Sequence, residues 1–172
     1  MWKMASIKDY PAIFKFIKEN EFLIDFQITN SSIGFREYMD MAIKNGGFIV
    51  DIVSDKIEGV SMYTIGTRVN NFSDTETGCI VLILLSPQKK AFGFITGLLS
   101  ILHKMRSHDV RFVEFKVNEY QKKLIKLYTK FADVVGEQKN LAGNNSVLFY
   151  TPIDSIFNRL SHYADRIKKD II

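Results

Sequence analysis

"SPQKKAFGFITGLL", residues 86–99, follows the apolar run "CIVLILL" at 79–85 and opens a stretch of helical periodicity. Phe94, Ile95, Leu98, Leu99, Leu102 and Met105 recur on one side of that helix. The run before it neither alternates nor carries charge, the pattern of a central strand covered on both faces. Between strand and helix lie Pro87, Lys89, Lys90 and Gly93. Such a turn has two readings: a cradle for phosphates, or a basic helix start with no ligand. Backbone amides at a helix start are unpaired donors at the positive end of the helix dipole, so an anion settles there when no side chain blocks it. Glycine leaves that approach open. The two lysines add charge, without the bidentate fork of arginine.

Working outward, the elements upstream are legible from their punctuation. "MWKMAS" reads as a short first strand, and Asp9 and Pro11 as the cap and first turn of a helix carrying Ile13, Phe16 and Ile17. A second helical stripe, Phe35, Tyr38, Met39, Ala42 and Ile43, is expected to close at Gly46 and Gly47. "FIVDIV" (48–53) and "EGVSMYTI" (58–65) flank a polar turn and form a hairpin. Downstream, "RFVEFKV" (111–117) is a strand, and Leu124, Leu127, Tyr128 and Phe131 mark an amphipathic helix. "DVV" (133–135) and "SVLFYT" (146–151) read as a last strand pair. The order is β-α-α-β-β-β-α-β-α-β-β followed by a helical tail, a mixed α/β class.

Composition bounds the rest. A chain of 172 residues with 47% hydrophobic and 24% charged content suits one soluble domain with a full core. A net charge of +4 permits an anionic ligand without naming one. No apolar run is long enough to span a bilayer, and the N-terminus lacks the apolar stretch of a signal peptide, so a cytoplasmic protein is expected. Cys79 is the single cysteine, which excludes an internal disulfide and a cysteine-based zinc site. His103, His108 and His162 are scattered, and no metal set emerges. Cys79 reads as an inert core residue. The lysines of "EYQKKLIKLYTK" lie on a solvated face without aromatic interleaving, so no nucleic acid is expected.

In element order, residues 3–151 resemble the GNAT superfamily of acyl-coenzyme A-dependent N-acyltransferases. That family commonly shows an apolar strand, a proline, an Arg/Gln-x-x-Gly-x-Gly/Ala turn and a helix with a Leu-Leu pair. Here "VLILLSP" supplies the strand and Pro87, and Leu98-Leu99 the pair. Lys90 then takes the Arg/Gln position, Gly93 the middle glycine, and Ile95 the final small residue, a departure from the pattern. A second register uses Gln88, Ala91 and Gly93. "LIKLYTKF" is similar to the family's Asn-x-x-Ala-x-x-Leu-Tyr-x-Lys-x-Gly-Phe: Leu127, Tyr128, Lys130 and Phe131 match, with Gln121 at the Asn position.

The resemblance implies a mostly antiparallel mixed sheet with a splayed fourth and fifth strand at its centre, flanked by helices. It implies acetyl-coenzyme A as cosubstrate, held by Gln88, Lys89, Lys90, Ala91, Phe92, Gly93, Phe94, Ile95 and Gln121. The pantetheine arm would run along Leu82, Leu84, Leu85 and Ser86. Tyr128 would be the general acid toward the departing thiolate, a phenol hydroxyl being a donor to developing negative charge on sulfur. The fourth strand carries no carboxylate or histidine, so a side-chain base would come from elsewhere: Glu76 is the choice here, with Asp74, Glu58 and Tyr63 as the other candidates, and a water, or no base at all, as the alternatives.

The tail stands apart. Residues 1–151 form the acyltransferase-like domain and 152–172 a helical extension, with Ile153, Phe157, Leu160, Ala164, Ile167 and Ile171 on one stripe and Asp154 or Ser155 capping it. That stripe buries itself on its own domain, on another copy or on a partner protein, with a membrane surface as the minor alternative given Arg159, Arg166, Lys168 and Lys169 nearby. Two functions follow: an N-acetyltransferase acting on an unidentified amine, or an inactive relative that assembles through its tail.

Overall fold

The computed structural model describes residues 2–24, 34–88, 91–139 and 145–169. Seven strands make one sheet: β1 (Trp2–Met4), β2 (Gly46–Val53), β3 (Lys56–Ile65), β4 (Thr77–Leu85), β5 (Phe112–Asn118), β6 (Val134–Lys139) and β7 (Asn145–Pro152). The helices are α1 (Tyr10–Glu19), α2 (Gly34–Asn45), α3 (Ala91–Arg106), α4 (Lys122–Tyr128) and α5 (Ile153–Lys169). The strand order is β1-β2-β3-β4-β5-β7-β6, and only the β4/β5 pair is parallel. This is the mixed, mostly antiparallel sheet expected from the sequence.

The two faces of the sheet hold separate cores. On one, Ile13, Phe16 and Ile17 of α1 and Met39 and Ala42 of α2 bury against Phe48, Val50, Val60, Met62 and Leu84. On the other, Leu98, Ile101, Leu102 and Met105 of α3 and Ile153, Ile156 and Leu160 of α5 bury against Val113, Phe115, Val117, Val147 and Phe149. The alternation in β5 that sends 113, 115 and 117 to α3 and α5 sends 112, 114 and 116 to the opposite face. There α1 and α2 lie over β2, β3 and β4, and none of the described helices covers β5, β7 and β6.

Several local expectations shift. α2 closes at Asn45, and Gly46 and Gly47 open β2 directly, where a Cβ at Gly46 would overlap the Tyr63 carbonyl oxygen across the ladder. Asp9 is the N-cap of α1, but its carboxylate accepts from the backbone N–H (2.7 Å) and hydroxyl (2.9 Å) of Ser6, closing the preceding turn. Asp154 lies inside the first turn of α5 and meets Arg106 at 3.3 Å. In the tail, Ile156 joins the buried set, while Phe157 sits half-buried with its ring 4.7 Å from that of His103. The apolar side chains of α5 through Leu160 are therefore taken up by this chain's own core. The side chains of Ala164, Ile167 and Ile171 fall outside the described residues.

Candidate active site

The site is built on an interrupted ladder. β4 and β5 pair only at Thr77–Phe112, Gly78–Val113 and Cys79–Glu114. Beyond Cys79 the two strands run on to Leu85 and Asn118 without pairing each other, so the sheet splays. The backbone of Ile80–Leu85 thus keeps one edge of peptide groups that β5 does not use. β4 also carries a bulge: Met62 faces Leu82 and Tyr63 faces Ile80, which leaves Val81 as the extra residue at the point of divergence.

The strand's far end is pinned by a second bulge. Asp51 faces Gly59 and Ile52 faces Ile57, so Glu58 is the extra residue on β3. Its carbonyl accepts from the Ser86 N–H at 2.9 Å, and its carboxylate accepts a short hydrogen bond from the Ser86 hydroxyl. Ser86 is buried and Gln88 exposed. Lys89 and Lys90 lie outside the described residues, as do the side chains of Ala91 and Phe92. The helix starts at Ala91, which puts the Gly93 amide in its first turn, among the donors that have no partner within a helix.

The orientation of Ile95 bears directly on that turn. It lines a small gap with Leu127, Lys130, Phe131 and Arg159, and packs into the core beneath α3. Its branched side chain is therefore spent on α4 and α5. Phe94 takes the neighbouring direction, its ring 5.6 Å from Tyr128.

Tyr128 ends α4 inside an aromatic cage. Its ring lies 4.9 Å from Phe115 and 5.8 Å from Phe149, both nearly perpendicular to it, and 5.6 Å from Phe131. The hydroxyl makes no hydrogen bond to another described residue, and burial pushes its pKa above the ordinary phenol value. Gln121 precedes α4 as its N-cap residue, with its N–H on the Asn118 carbonyl at the open end of β5. Phe94, Ile95 and Tyr128 are thus brought together on the α3 side of the splay.

The four base candidates are dispersed. Glu76 precedes β4 at the paired end, exposed and 3.3 Å from Arg111. Glu58 is engaged with Ser86, as above. Tyr63 is buried in the core with its hydroxyl 3.9 Å from the Met4 sulfur, and burial pushes it up to about 12. Asp74 closes the turn before β4, accepting from the Thr67 N–H and hydroxyl at 2.7 Å and from Asn70 at 3.0 Å. Burial raises its pKa, but these hydrogen bonds outweigh that and hold it below the usual range. The sequence reading passed over Glu114, a half-buried carboxylate at the last β4/β5 pair. Its signal was the lone acid of β5, among apolar residues, Lys116 and the closing Asn118.

No family model and no curated protein matches the sequence. Solved structures do. An acetyltransferase of the GNAT family from Bacillus cereus superposes with a TM-score of 0.60 at 26% identity, over 88% of this chain and 96% of that one. An N-acetyltransferase from Staphylococcus aureus gives 0.66 at 14% identity, over 89% and 98%. The ribosomal-protein-S18-alanine N-acetyltransferase from Escherichia coli gives 0.65 at 11% identity, over 89% and 93%.

The chain has the GNAT fold.

Within the GNAT fold, the splayed pair, the helix start after β4 and the tyrosine ending α4 occupy one side of the sheet here. Among the described residues no group of three or more His, Cys, Asp or Glu side chains could hold a metal. No described helix is long and apolar enough to cross a membrane.

Proposed function

We propose that the chain is an N-acyltransferase that moves an acetyl group from acetyl-coenzyme A to an amine. The observation that carries this reading is the end of the β4/β5 ladder at Cys79–Glu114, which frees the Ile80–Leu85 edge beside the start of α3. A pantetheine arm has amides that pair with such a strand edge, through Leu82, Leu84 and Leu85. Its pyrophosphate would rest on the amides around Gly93, with Lys89, Lys90 and Gln88 adding charge and hydrogen bonds. Ile95, packed against Leu127 and Phe131, supports an open approach to those amides.

Tyr128 would face the leaving thiolate. With its acidity weakened by burial, the phenol stays protonated throughout the neutral range. Full transfer of its proton to a thiolate of ordinary basicity is then uphill by at least about 2 kcal/mol, from reference values near 10 and 8.5. Tyr128 would therefore act by donating a hydrogen bond as charge develops on sulfur, with the proton reaching the thiolate from water later. We read the protein as cytoplasmic, with residues 1–151 as the catalytic domain and 152–172 as its helical extension.

Calorimetric titration with acetyl-coenzyme A tests this. Micromolar binding that weakens about tenfold or more in Lys90→Glu is the expected result. No heat at millimolar ligand overturns the reading.

A further inference from the structure

The candidate coenzyme A site has two halves, the free edge of β4 and the first turn of α3, and the Trp2 ring lies where they meet. Trp2 belongs to β1, at the outer edge of the sheet, with β2 and β3 between it and β4. Its ring reaches over Gly59 of β3, whose register partner is Leu85 at the end of the β4 edge. A Cβ at Gly59 would stand 2.7 Å from the indole and 3.0 Å from the Leu85 side chain, so the two converge over that glycine. On its other side the ring meets α3, where a Cβ at Gly97 would also stand 2.7 Å away. The indole N–H donates to the Thr96 hydroxyl at 3.0 Å, and that hydroxyl donates to the Gly93 carbonyl at 3.0 Å.

Packing accounts for the two glycines but not for the nitrogen. A phenylalanine would fill an apolar slot, whereas an indole brings an N–H that has to find an acceptor. Here the acceptor is a hydroxyl with a single hydrogen to give. With its oxygen taken by the indole, that hydrogen is aimed at the Gly93 carbonyl. Gly93 is the residue where such an aim matters. Glycine leaves the amides of the turn open to a phosphate, yet it has more backbone freedom to lose than any other residue. A donor held on its carbonyl removes part of that freedom before a ligand arrives, and a site ordered in advance binds more tightly.

We propose that Trp2, acting through Thr96, is a positioning residue for the turn that receives the coenzyme A pyrophosphate. The proposal rests on the acyltransferase reading and adds a distant element to it: the first strand orders the phosphate turn from across the sheet. Trp2 acts at one remove, holding the carbonyl of Gly93 while the amides of the first turn face the anion. It is also the one tryptophan of the chain, so its emission reports on the relay without a label.

The test compares wild type with Trp2→Phe, Thr96→Val, Thr96→Ser and Ile101→Val. Acetyl-coenzyme A affinity is measured by calorimetry, and urea unfolding gives each midpoint. Trp2 emission is followed through the same titration in the proteins that keep it. Trp2→Phe leaves a ring in the slot and removes the donor; Thr96→Val keeps the shape and removes the hydroxyl. Each should weaken binding about fivefold, the worth of one hydrogen bond of ordinary net strength. Thr96→Ser restores the hydroxyl and should bring affinity back to within about twofold of wild type. Ile101→Val trims a fully buried residue of the same helix beyond the relay. It should lower the midpoint and leave affinity within about twofold. Saturation with acetyl-coenzyme A should shift the Trp2 emission of wild type, and Thr96→Val should lose that shift. Wild-type affinity in Trp2→Phe or Thr96→Val overturns the relay and leaves the acyltransferase reading standing. So does equal weakening in Thr96→Ser or in Ile101→Val, or a wild-type emission that does not move at saturation. Absence of acetyl-coenzyme A binding in the wild type overturns the acyltransferase reading and this proposal with it.

Discussion

The indole N–H of Trp2 donates to the Thr96 hydroxyl at 3.0 Å, tying the first strand to α3. The ring enters a slot left by two glycines: a Cβ at Gly59 or at Gly97 would stand 2.7 Å from it. Thr96 in turn donates to the Gly93 carbonyl at 3.0 Å, so the N-terminal residues fix the first turn of the helix that carries the candidate phosphate site.

Filling that slot should loosen the helix start. Gly97→Ala would add a methyl where the indole ring sits and is expected to cost about 1–3 kcal/mol as overpacking, in spite of alanine's better helix propensity. Urea unfolding measures the cost. An unchanged or raised midpoint would show that Trp2 does not lock α3.

Ile95→Ala separates packing from obstruction. Because the side chain sits against Leu127 and Phe131, its loss should destabilise by roughly 1–3 kcal/mol, and acetyl-coenzyme A affinity should not improve. Tighter binding in the variant would mean that the branched side chain had stood in the ligand's path.

Tyr128→Phe removes only the hydroxyl. Since that group has no described partner, stability should stay within about 0.5 kcal/mol. The turnover number should nevertheless fall about 100-fold, the low end of what a placed donor contributes, with acetyl-coenzyme A affinity retained. Equal turnover would remove Tyr128 from the chemistry.

Alkaline pH should weaken the fold. Burial, reinforced by Glu114, pushes the Cys79 thiol up to about 12, and burial alone does the same for Tyr63. Unfolded, these groups lose their protons near pH 8.5 and 10. From about pH 9 to 12 the folded chain holds protons that the unfolded chain has released, so stability falls as pH rises. Urea midpoints at pH 8 and 10.5 measure the slope, and Cys79→Ala should flatten it. Iodoacetamide should label Cys79 in the native protein at pH 8 far more slowly than a free thiol; labelling at the free-thiol rate would contradict the shift.

Much of this was written in local pattern. The uncharged run at 79–85 and the stripe from Phe94 to Met105 announced β4 and α3, because each buries a face set by its own periodicity. Spacing brought Leu124, Leu127 and Tyr128 onto one helix face, while α4 stops at Tyr128 and Phe131, expected on the same helix, follows in the turn beyond it. Glu114 went unread because a single acid alternating with apolar residues, two places from Lys116, looks the same whether it faces solvent, a partner or a site. Glu76 drew attention by lying just before β4, yet the ladder holds it at the paired end, with Arg111.

The sequence by itself determined the order of elements, the strand–loop–helix unit around Gly93 and which residues of each strand share a face. Those follow from hydrogen-bonding periods and turn chemistry within a few residues of chain. Only the tertiary structure decided that β7 inserts between β5 and β6, that the β4/β5 ladder stops at Cys79–Glu114, and that Ile95 turns toward α4. Strand partners, register and the end of a ladder depend on contacts between distant segments, which local periodicity leaves open.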